Sequence, residues 1–313
     1  MIFFVYGRKP DRITFISTVF KRPDSPVGPK RPNGPIWNET SLLLANFLQP
    51  CYNSNMFDFI EANRKAWNKE ANTGNAWSRP VDDSMVETAQ SGNLNLRLAI
   101  TNDVPQSWIE GLKGKKVLNL GGGGGQQTVL LAAYGCKVTT VDISEEQLEI
   151  DASTLARHGL EATLHNGSLT DLKFLDSDSF DCVIAPGVLN FIPELEDVYK
   201  DVYRLLRKGG RFMFSVANPA LYMFDQRRLE KGRMKVKYTL PFASDTTLSQ
   251  KQLQRLLATG DTIEYSHTLD EVFGSLCKTG FSIEGYLSSK SDFEPIDSFL
   301  KDCYFSILAV KKG

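Results

Sequence analysis

Histidine is scarce: the 313 residues hold three, His158, His165 and His267, and no two stand at a spacing that one metal ion could share. A protein-built metal centre is therefore not expected. Cysteine is equally uninformative, because Cys51, Cys136, Cys182, Cys277 and Cys303 are odd in number, scattered, and free of any C-x-x-C pair. They read as reduced, mostly buried thiols of an intracellular, cytoplasmic chain rather than as a disulfide framework or zinc site. No apolar run approaches the roughly 20 residues of a membrane span. An excess of one charge is missing too, since 36 basic and 37 acidic side chains leave a net charge of -1. No field is present to gather nucleic acid or an anionic membrane, and a small molecule is the partner class that remains. Oligomeric state is not readable from the sequence.

The first 55 residues are rich in what breaks structure. Prolines at 10, 23, 26, 29, 32, 35 and 50 interrupt any helical or strand period, and through residue 40 there are seven basic against three acidic side chains. Residues 1–55 are expected to form a poorly ordered extension, with an organelle-targeting segment or translation from Met56 as alternatives. From Phe57 to Glu70 an amphipathic helix is expected, and a second from Ser84 to about Ile100. Together they make an N-terminal helical cover over 56–110.

A βα alternation then dominates. Short apolar runs at 117–120, 138–141, 162–165, 182–185 and 211–216 read as strands, with helices over 126–134, 145–158 and 194–207 between them. Such alternation implies a parallel sheet covered by helices on both faces, spanning 111–218. Two further runs, 282–287 and 304–311, have no long helix between them and suggest a closing antiparallel pair within 281–313. The connection over 219–280 is too long for a bare loop. Within it, 235–241 reads as a short strand and 249–258 as a helix capped by Ser249, and the whole segment reads as a substrate lid.

The strongest local signal is the buried strand Val117–Leu120 running into Gly121–Gly125 and then into a helix. Glycines let the backbone approach a ligand closely, and the helix start favours an anionic group. Two cofactor classes use such a turn. A dinucleotide fingerprint G-x-G-x-x-G would need glycine or alanine where Gln126, Gln127 or Thr128 stands. The register Gly121, Gly123, Gly125 fits G-x-G-x-G and favours S-adenosylmethionine over NAD. Asp142 follows Gly121 by 21 residues, at the end of the second strand, where a carboxylate can accept from both hydroxyls of a ribose. Ser144 is the better cap for the helix after it.

The strand-G-x-G-x-G element, the acid of Thr140–Ser144, and the stretches 171–174, 179–183, 188–192 and 205–212 together resemble the ordered landmarks of class I S-adenosylmethionine-dependent methyltransferases. Gly123–Gln127, Asn218-Pro219, Phe224-Asp225, Tyr265–Asp270, Asn63–Trp67, Gly74–Trp77 and Tyr304–Val310 resemble a largely uncharacterised bacterial branch that acts on small molecules. The resemblance implies an α/β fold: a Rossmann-like, doubly wound, seven-stranded, mostly parallel sheet with an antiparallel C-terminal strand. It implies S-adenosylmethionine as cofactor. Gly121, Gly122, Gly123 and Gly125 would line its methionine portion, flanked by Asn119 and Gln126. Asp142 and Ile143 would take the ribose, Gly167, Ser168 and Leu169 the adenine edge, and Ala185, Pro186, Gly187 and Val188, after the fourth strand, would face the sulfonium and the substrate. Asn119 and Ser168 stand where the family usually has acids.

Methyl transfer from a sulfonium is an in-line displacement, so positioning supplies much of the acceleration, and a base is needed only for some acceptors. His267, isolated in the polar stretch 264–268, is a candidate base. Tyr222 and Asp225, just beyond the fifth strand, are candidates for substrate contact. Trp67 and Trp77 either lie over the cofactor or bury the first helix, and packing is the simpler expectation. Arg227 and Arg228 read as a solvated helix face. The expected function is methyl transfer to a small molecule, against a binding protein that keeps only the fold and an NAD-linked oxidoreductase.

Overall fold

A computed structural model of the chain describes residues 57–229 and 231–312. The extension expected over 1–55 lies outside the described residues, as do the targeting and alternative-start expectations attached to it.

Three helices precede the sheet: α1 (Phe59–Thr73), α2 (Asp83–Gln90) and the single turn α3 (Gln106–Ile109). Asp58 caps α1 by accepting the Glu61 N–H, and Gly74, in the left-handed conformation, ends it. The second helix is shorter than its expected 84–100. It stops at Gln90 because Ser91, Gly92 and Asn93 follow, with Gly92 at φ +96°, a conformation that suits glycine and breaks the helical hydrogen-bond ladder. The leucines beyond, Leu94, Leu96 and Leu98, are buried while Asn95 and Arg97 are exposed. That two-residue period belongs to extended chain, not to a helix.

The alternating core follows as β1 (Lys116–Leu120), α4 (Gln127–Tyr134), β2 (Lys137–Asp142), α5 (Glu145–Arg157), β3 (Thr163–Asn166), β4 (Phe180–Ala185), α6 (Leu195–Leu205) and β5 (Leu206–Ala217). Ser144 does cap α5, its Oγ accepting the Gln147 N–H at 3.1 Å. Successive strand residues face opposite sides. Leu118, Val183, Phe212 and Phe214 meet Val198, Tyr199 and Val202 of α6. Val117, Cys182, Ile184 and Met213 meet Val129 and Leu131 of α4 and Leu155 of α5. Both faces are apolar because both are covered by helices.

After β5 come the short helices α7 (Gln226–Leu229), α8 (Ser244–Thr247), α9 (Gln250–Thr259) and α10 (Ser275–Thr279), then the strand β6 (Phe281–Ser289), the single turn α11 (Glu294–Asp297) and the strand β7 (Tyr304–Lys311). The sheet order is β3-β2-β1-β4-β5-β7-β6, and β7 pairs antiparallel with both β5 and β6. The chain leaves β1 toward β2 and β3 on one side and β4 and β5 on the other. The carboxyl ends of β1 and β4 therefore flank the switch point, where open α/β sheets bind ligands.

The segment 219–280 is more irregular than expected. Residues 235–241 form a single bridge, Val236 to Phe224, instead of a strand, whereas α9 closely matches its expected bounds and carries a full capping box between Ser249 and Gln252. The segment braces α1. Asn63 Oδ1 accepts the Ile263 N–H at 2.7 Å, Asn63 Nδ2 donates to the Ile263 carbonyl at 3.1 Å, and Lys69 Nζ donates to the Thr259 carbonyl at 2.6 Å. Asn63 is 1% exposed. Asn63→Ala is expected to cost about 2–4 kcal/mol, because it leaves both polar groups of Ile263 buried and unpaired. Urea unfolding of the variant measures this, and a loss under about 0.5 kcal/mol would show that the clamp is dispensable. No described helix is long and apolar enough to cross a membrane.

Candidate functional site

The glycine run rises from the buried end of β1 and turns into α4 without a side-chain cap. Its geometry needs more glycines than the three of the expected register. Gly124 has φ +60°, and a Cβ there would run into Gln147 Oε1 and sit 3.2 Å from Ser78 Cα; one on Gly125, at φ +85°, would lie 2.9 Å from Pro80 Cβ. Residues 76–81 pack onto the loop closely enough to fill the room a side chain would take. Gln126 Nε2 donates to the carbonyls of Ala76 and Arg79, each at 3.0 Å, and Val81 N–H donates to the Gly125 carbonyl at 3.0 Å.

Asp142 ends β2 with its carboxylate oriented by the backbone. The Gly122 N–H donates to Oδ2 at 2.7 Å and the Ser144 N–H to Oδ1 at 2.8 Å. Burial pushes its pKa up to about 6, against those same N–H groups, which favour the ionised form. An ionised carboxylate has about four acceptor sites. The backbone donors of Gly122, Gly123 and Ser144 do not fill them all, and Asp142 lines a cavity.

That cavity has a volume of about 680 Å³ and lies over the switch point. Its floor includes Gly121, Gly123, Gln126, Asp142, Ile143, Ser168, Leu169 and Pro186, all expected at the site. Asn119, Gly122, Gly125, Gly167 and Ala185 do not line it. Asn119 and Ala185 are fully buried in their strands, Gly167 instead donates its N–H to the Asp142 carbonyl at 2.9 Å, and Gly122 and Gly125 turn their N–H groups to Asp142 and Asp151.

The roof comes from the N-terminal segment. Phe59, Ile60, Asn63, Trp67, Trp77, Met85 and Leu98 line the cavity, together with Phe191 and Tyr304. Trp67 meets Phe191 edge-on, with centroids 5.3 Å apart. Both tryptophans thus face the cavity as well as packing the cover. No described residue of 219–280 lines the cavity. That segment was expected to be the lid; its described residues pack behind the wall instead, with Leu221, Tyr222 and Phe242 clustered with Phe191 and Tyr304 and Ile263 bonded to Asn63 of α1.

The three residues expected to carry chemistry also sit off this wall. His267 is 2% exposed, with Nε2 3.1 Å from the Leu189 carbonyl, and burial lowers its pKa although that carbonyl opposes the effect. Tyr222 stacks on Phe242 at 5.6 Å, and burial, reinforced by the Glu264 carboxylate, raises its phenol above the ordinary range. Asp225 pairs with Lys237 at 3.3 Å; against the pull of burial, Lys237 and the Arg228 N–H hold its carboxyl low. Arg227 and Arg228 are exposed, as a solvated face requires. Gly187 and Val188, expected after β4, line the cavity with Pro186. Sequence reasoning missed Gln127 and Gln147, which also line it, because amide side chains carry no pattern of their own.

A family model described as a methyltransferase domain matches residues 118–214. YbaJ, an uncharacterized methyltransferase of Bacillus subtilis, is 35% identical over 234 residues, covering 75% of this chain and 92% of that protein. The chain belongs to this methyltransferase family. A ubiquinone biosynthesis O-methyltransferase of Aromatoleum aromaticum is 32% identical over 120 residues, 37% of this chain and 51% of that protein, so the match spans about half of its length. Among solved structures, an S-adenosylmethionine-dependent methyltransferase from Mesorhizobium loti aligns with TM-score 0.52 at 20% identity, over 66% of this chain and 94% of that one. A Burkholderia thailandensis 1,6-didemethyltoxoflavin-N1-methyltransferase, with S-adenosylhomocysteine bound, aligns with TM-score 0.51 at 16% identity, over 83% and 93%. These structures share the fold with this methyltransferase.

The methyl donor of this methyltransferase is S-adenosylmethionine, and the residues present suit it. Within the cavity Gly121 and Gly123 present backbone without a side chain, which would suit the donor's methionine portion, and the Asp142 carboxylate would suit ribose hydroxyls. Family membership removes the NAD-linked oxidoreductase from consideration.

Proposed function

We propose that this methyltransferase acts in the cytoplasm on a small, largely apolar acceptor held between the N-terminal cover and the ends of β4 and β5. The observation that carries this is the wall around Pro186–Val188, which consists of Trp67, Trp77, Phe191 and Tyr304. Aromatic side chains bury a flat apolar molecule at little entropic cost and leave polar specificity to a few groups. When bound, S-adenosylmethionine supplies an electrophilic methyl carbon, whose bond to sulfur breaks as the acceptor's bond to it forms. The chain's own part is to bring the acceptor in line and to exclude water through α1 and residues 76–81. A cavity of about 680 Å³ is of the size that holds small ligands and is closed on the side of α1.

The test is methyl transfer from isotopically labelled S-adenosylmethionine to a panel of aromatic and aliphatic small molecules, read by mass spectrometry. Thermal stability with S-adenosylmethionine, S-adenosylhomocysteine and NAD runs in parallel, since a ligand at ~100 times its Kd stabilises by about 2.7 kcal/mol. Stabilisation by NAD alone, or labelling confined to peptides or nucleic acids, would sink the proposal. On an accepted substrate, Trp67→Ala is expected to raise KM about tenfold while the Kd for S-adenosylhomocysteine changes less than about threefold. An unchanged KM would place the acceptor elsewhere.

A further inference from the structure

Beneath the glycine loop a chain of buried polar groups ends on a carboxylate that does not line the cavity. Thr128 Oγ1 lies 3.0 Å from Asn119 Nδ2, 2.9 Å from Thr140 Oγ1 and 3.0 Å from Asp151 Oδ2. A hydroxyl has one proton and two lone pairs, whereas an ionised carboxylate only accepts. Thr128 therefore gives its proton to Asp151 and accepts from Asn119 and Thr140. The other oxygen, Asp151 Oδ1, accepts the Gly125 N–H at 2.6 Å. A Cβ on Gly122 would stand 2.5 Å from Oδ2, so the carboxylate lies directly against the loop backbone. Asp151 is 0% exposed.

No cation answers this charge. Among the described residues no lysine, arginine or histidine pairs with Asp151, and the charged side chain that acts on it is another acid, Asp142. At the far end of the chain Asn119 is neutral, and its Oδ1 has no hydrogen-bond partner among the described residues. An unpaired buried carboxylate is costly to keep. The positive charge missing from the protein is present in the ligand, whose sulfonium adds one net positive charge to a zwitterionic methionine portion. We propose that Asp151 is a positioning residue for the methyl donor: from beneath the loop its negative charge balances the donor's positive charge and fixes the Gly125 amide. The proposal rests on S-adenosylmethionine binding at this loop. Thr128 then acts as a hinge point, because a carboxylate on either side of it, at 119 or at 151, can take its proton.

The full-length chain is titrated calorimetrically with S-adenosylmethionine and with S-adenosylhomocysteine. Asp151→Asn is expected to raise the Kd for S-adenosylmethionine about tenfold or more, and to raise that for the thioether product, which lacks the sulfonium charge, less. Asn119→Asp combined with Asp151→Asn restores the charge across Thr128 and is expected to return the first Kd to within about threefold of the wild type, which a merely structural asparagine at 151 would not explain. In the wild type the same Kd rises as pH falls through about 7, the range to which burial pushes the Asp151 pKa. The groups facing it are Asp142 on β2, the neutral Asn119, Thr128 and Thr140, and the Gly125 amide. If Asp151→Asn does not fold, the wild-type pH profile and the double variant carry the test. Equal affinity in wild type and a folded Asp151→Asn, a folded double variant that stays weak, or a wild-type Kd that is flat from pH 8 to 6 overturns the proposal. A wild-type chain that binds neither ligand overturns the assignment of the donor to this loop, and the proposal with it.

Discussion

Asp142→Ala is expected to weaken S-adenosylhomocysteine binding by about a hundredfold or more. Two charge-assisted hydrogen bonds to ribose hydroxyls would contribute roughly 1.5–3 kcal/mol each, and 1.4 kcal/mol is a factor of ten. The variant also frees the N–H groups of Gly122 and Ser144, which Asp142 holds at 2.7 and 2.8 Å, so the loop loses an anchor as well as the ligand a partner. Asp142→Asn keeps the shape and one acceptor oxygen and is expected to fall between the two. Calorimetry or ligand-induced thermal shift measures both. A change of less than about threefold in the alanine variant would mean that the ribose lies elsewhere.

The second large effect is a pH dependence with opposite signs in the free and the liganded protein. Burial raises the pKa of Asp142 to about 6 and that of Asp151 to about 7, from an ordinary 3.8. Between pH 4 and 7 the folded chain therefore holds protons that the unfolded chain has released. Raising the pH across that window costs stability. Each tenfold difference in proton affinity between folded and unfolded chain is worth about 1.4 kcal/mol, so the two acids together amount to several kcal/mol. Ligand binding runs the other way, because ribose hydroxyls and a cationic donor both favour the ionised carboxylates. The Tm of the free protein is expected to fall by several degrees from pH 5 to 8, while the increment given by saturating S-adenosylmethionine grows. Calorimetric scans at intervals of half a pH unit read both trends. A free-protein Tm that rises through pH 6–7 would show that these carboxylates are not buried as described.

What the sequence made legible was the part governed by local rules. Strands of the sheet show as short, continuous apolar runs with helical stretches between them, and Ser144 and Ser249 cap the helices they precede. The floor of the site was likewise visible, since Gly121, Gly123, Asp142 and Leu169 sit at fixed distances from strand ends. What was not legible depends on contacts distant in sequence. The roof over the cavity follows from Asn63 finding Ile263, 200 residues away, and no period in either segment announces that pair. For the same reason 219–280, a long connection between the fifth and sixth strands, looked like a lid although none of its described residues lines the cavity. His267 looked isolated in a polar stretch, yet tertiary packing buries it against the Leu189 carbonyl. Asp151 was invisible as a site residue because one acid among several on an amphipathic helix has no signature until Gly125 and Thr128 are seen to donate to it.

The Asn63 clamp has a further consequence for how the protein comes to exist on the ribosome. The glycine loop and Asp142 are synthesised early, but the helix that roofs them waits for Ile263 to emerge, and the cavity wall waits for Tyr304 on β7. A nascent chain that ends after β5 lacks both Ile263, which holds Asn63 of α1, and Tyr304, which lines the cavity. The order of synthesis thus delays an enclosed, water-excluding pocket until the sheet that supports it is complete.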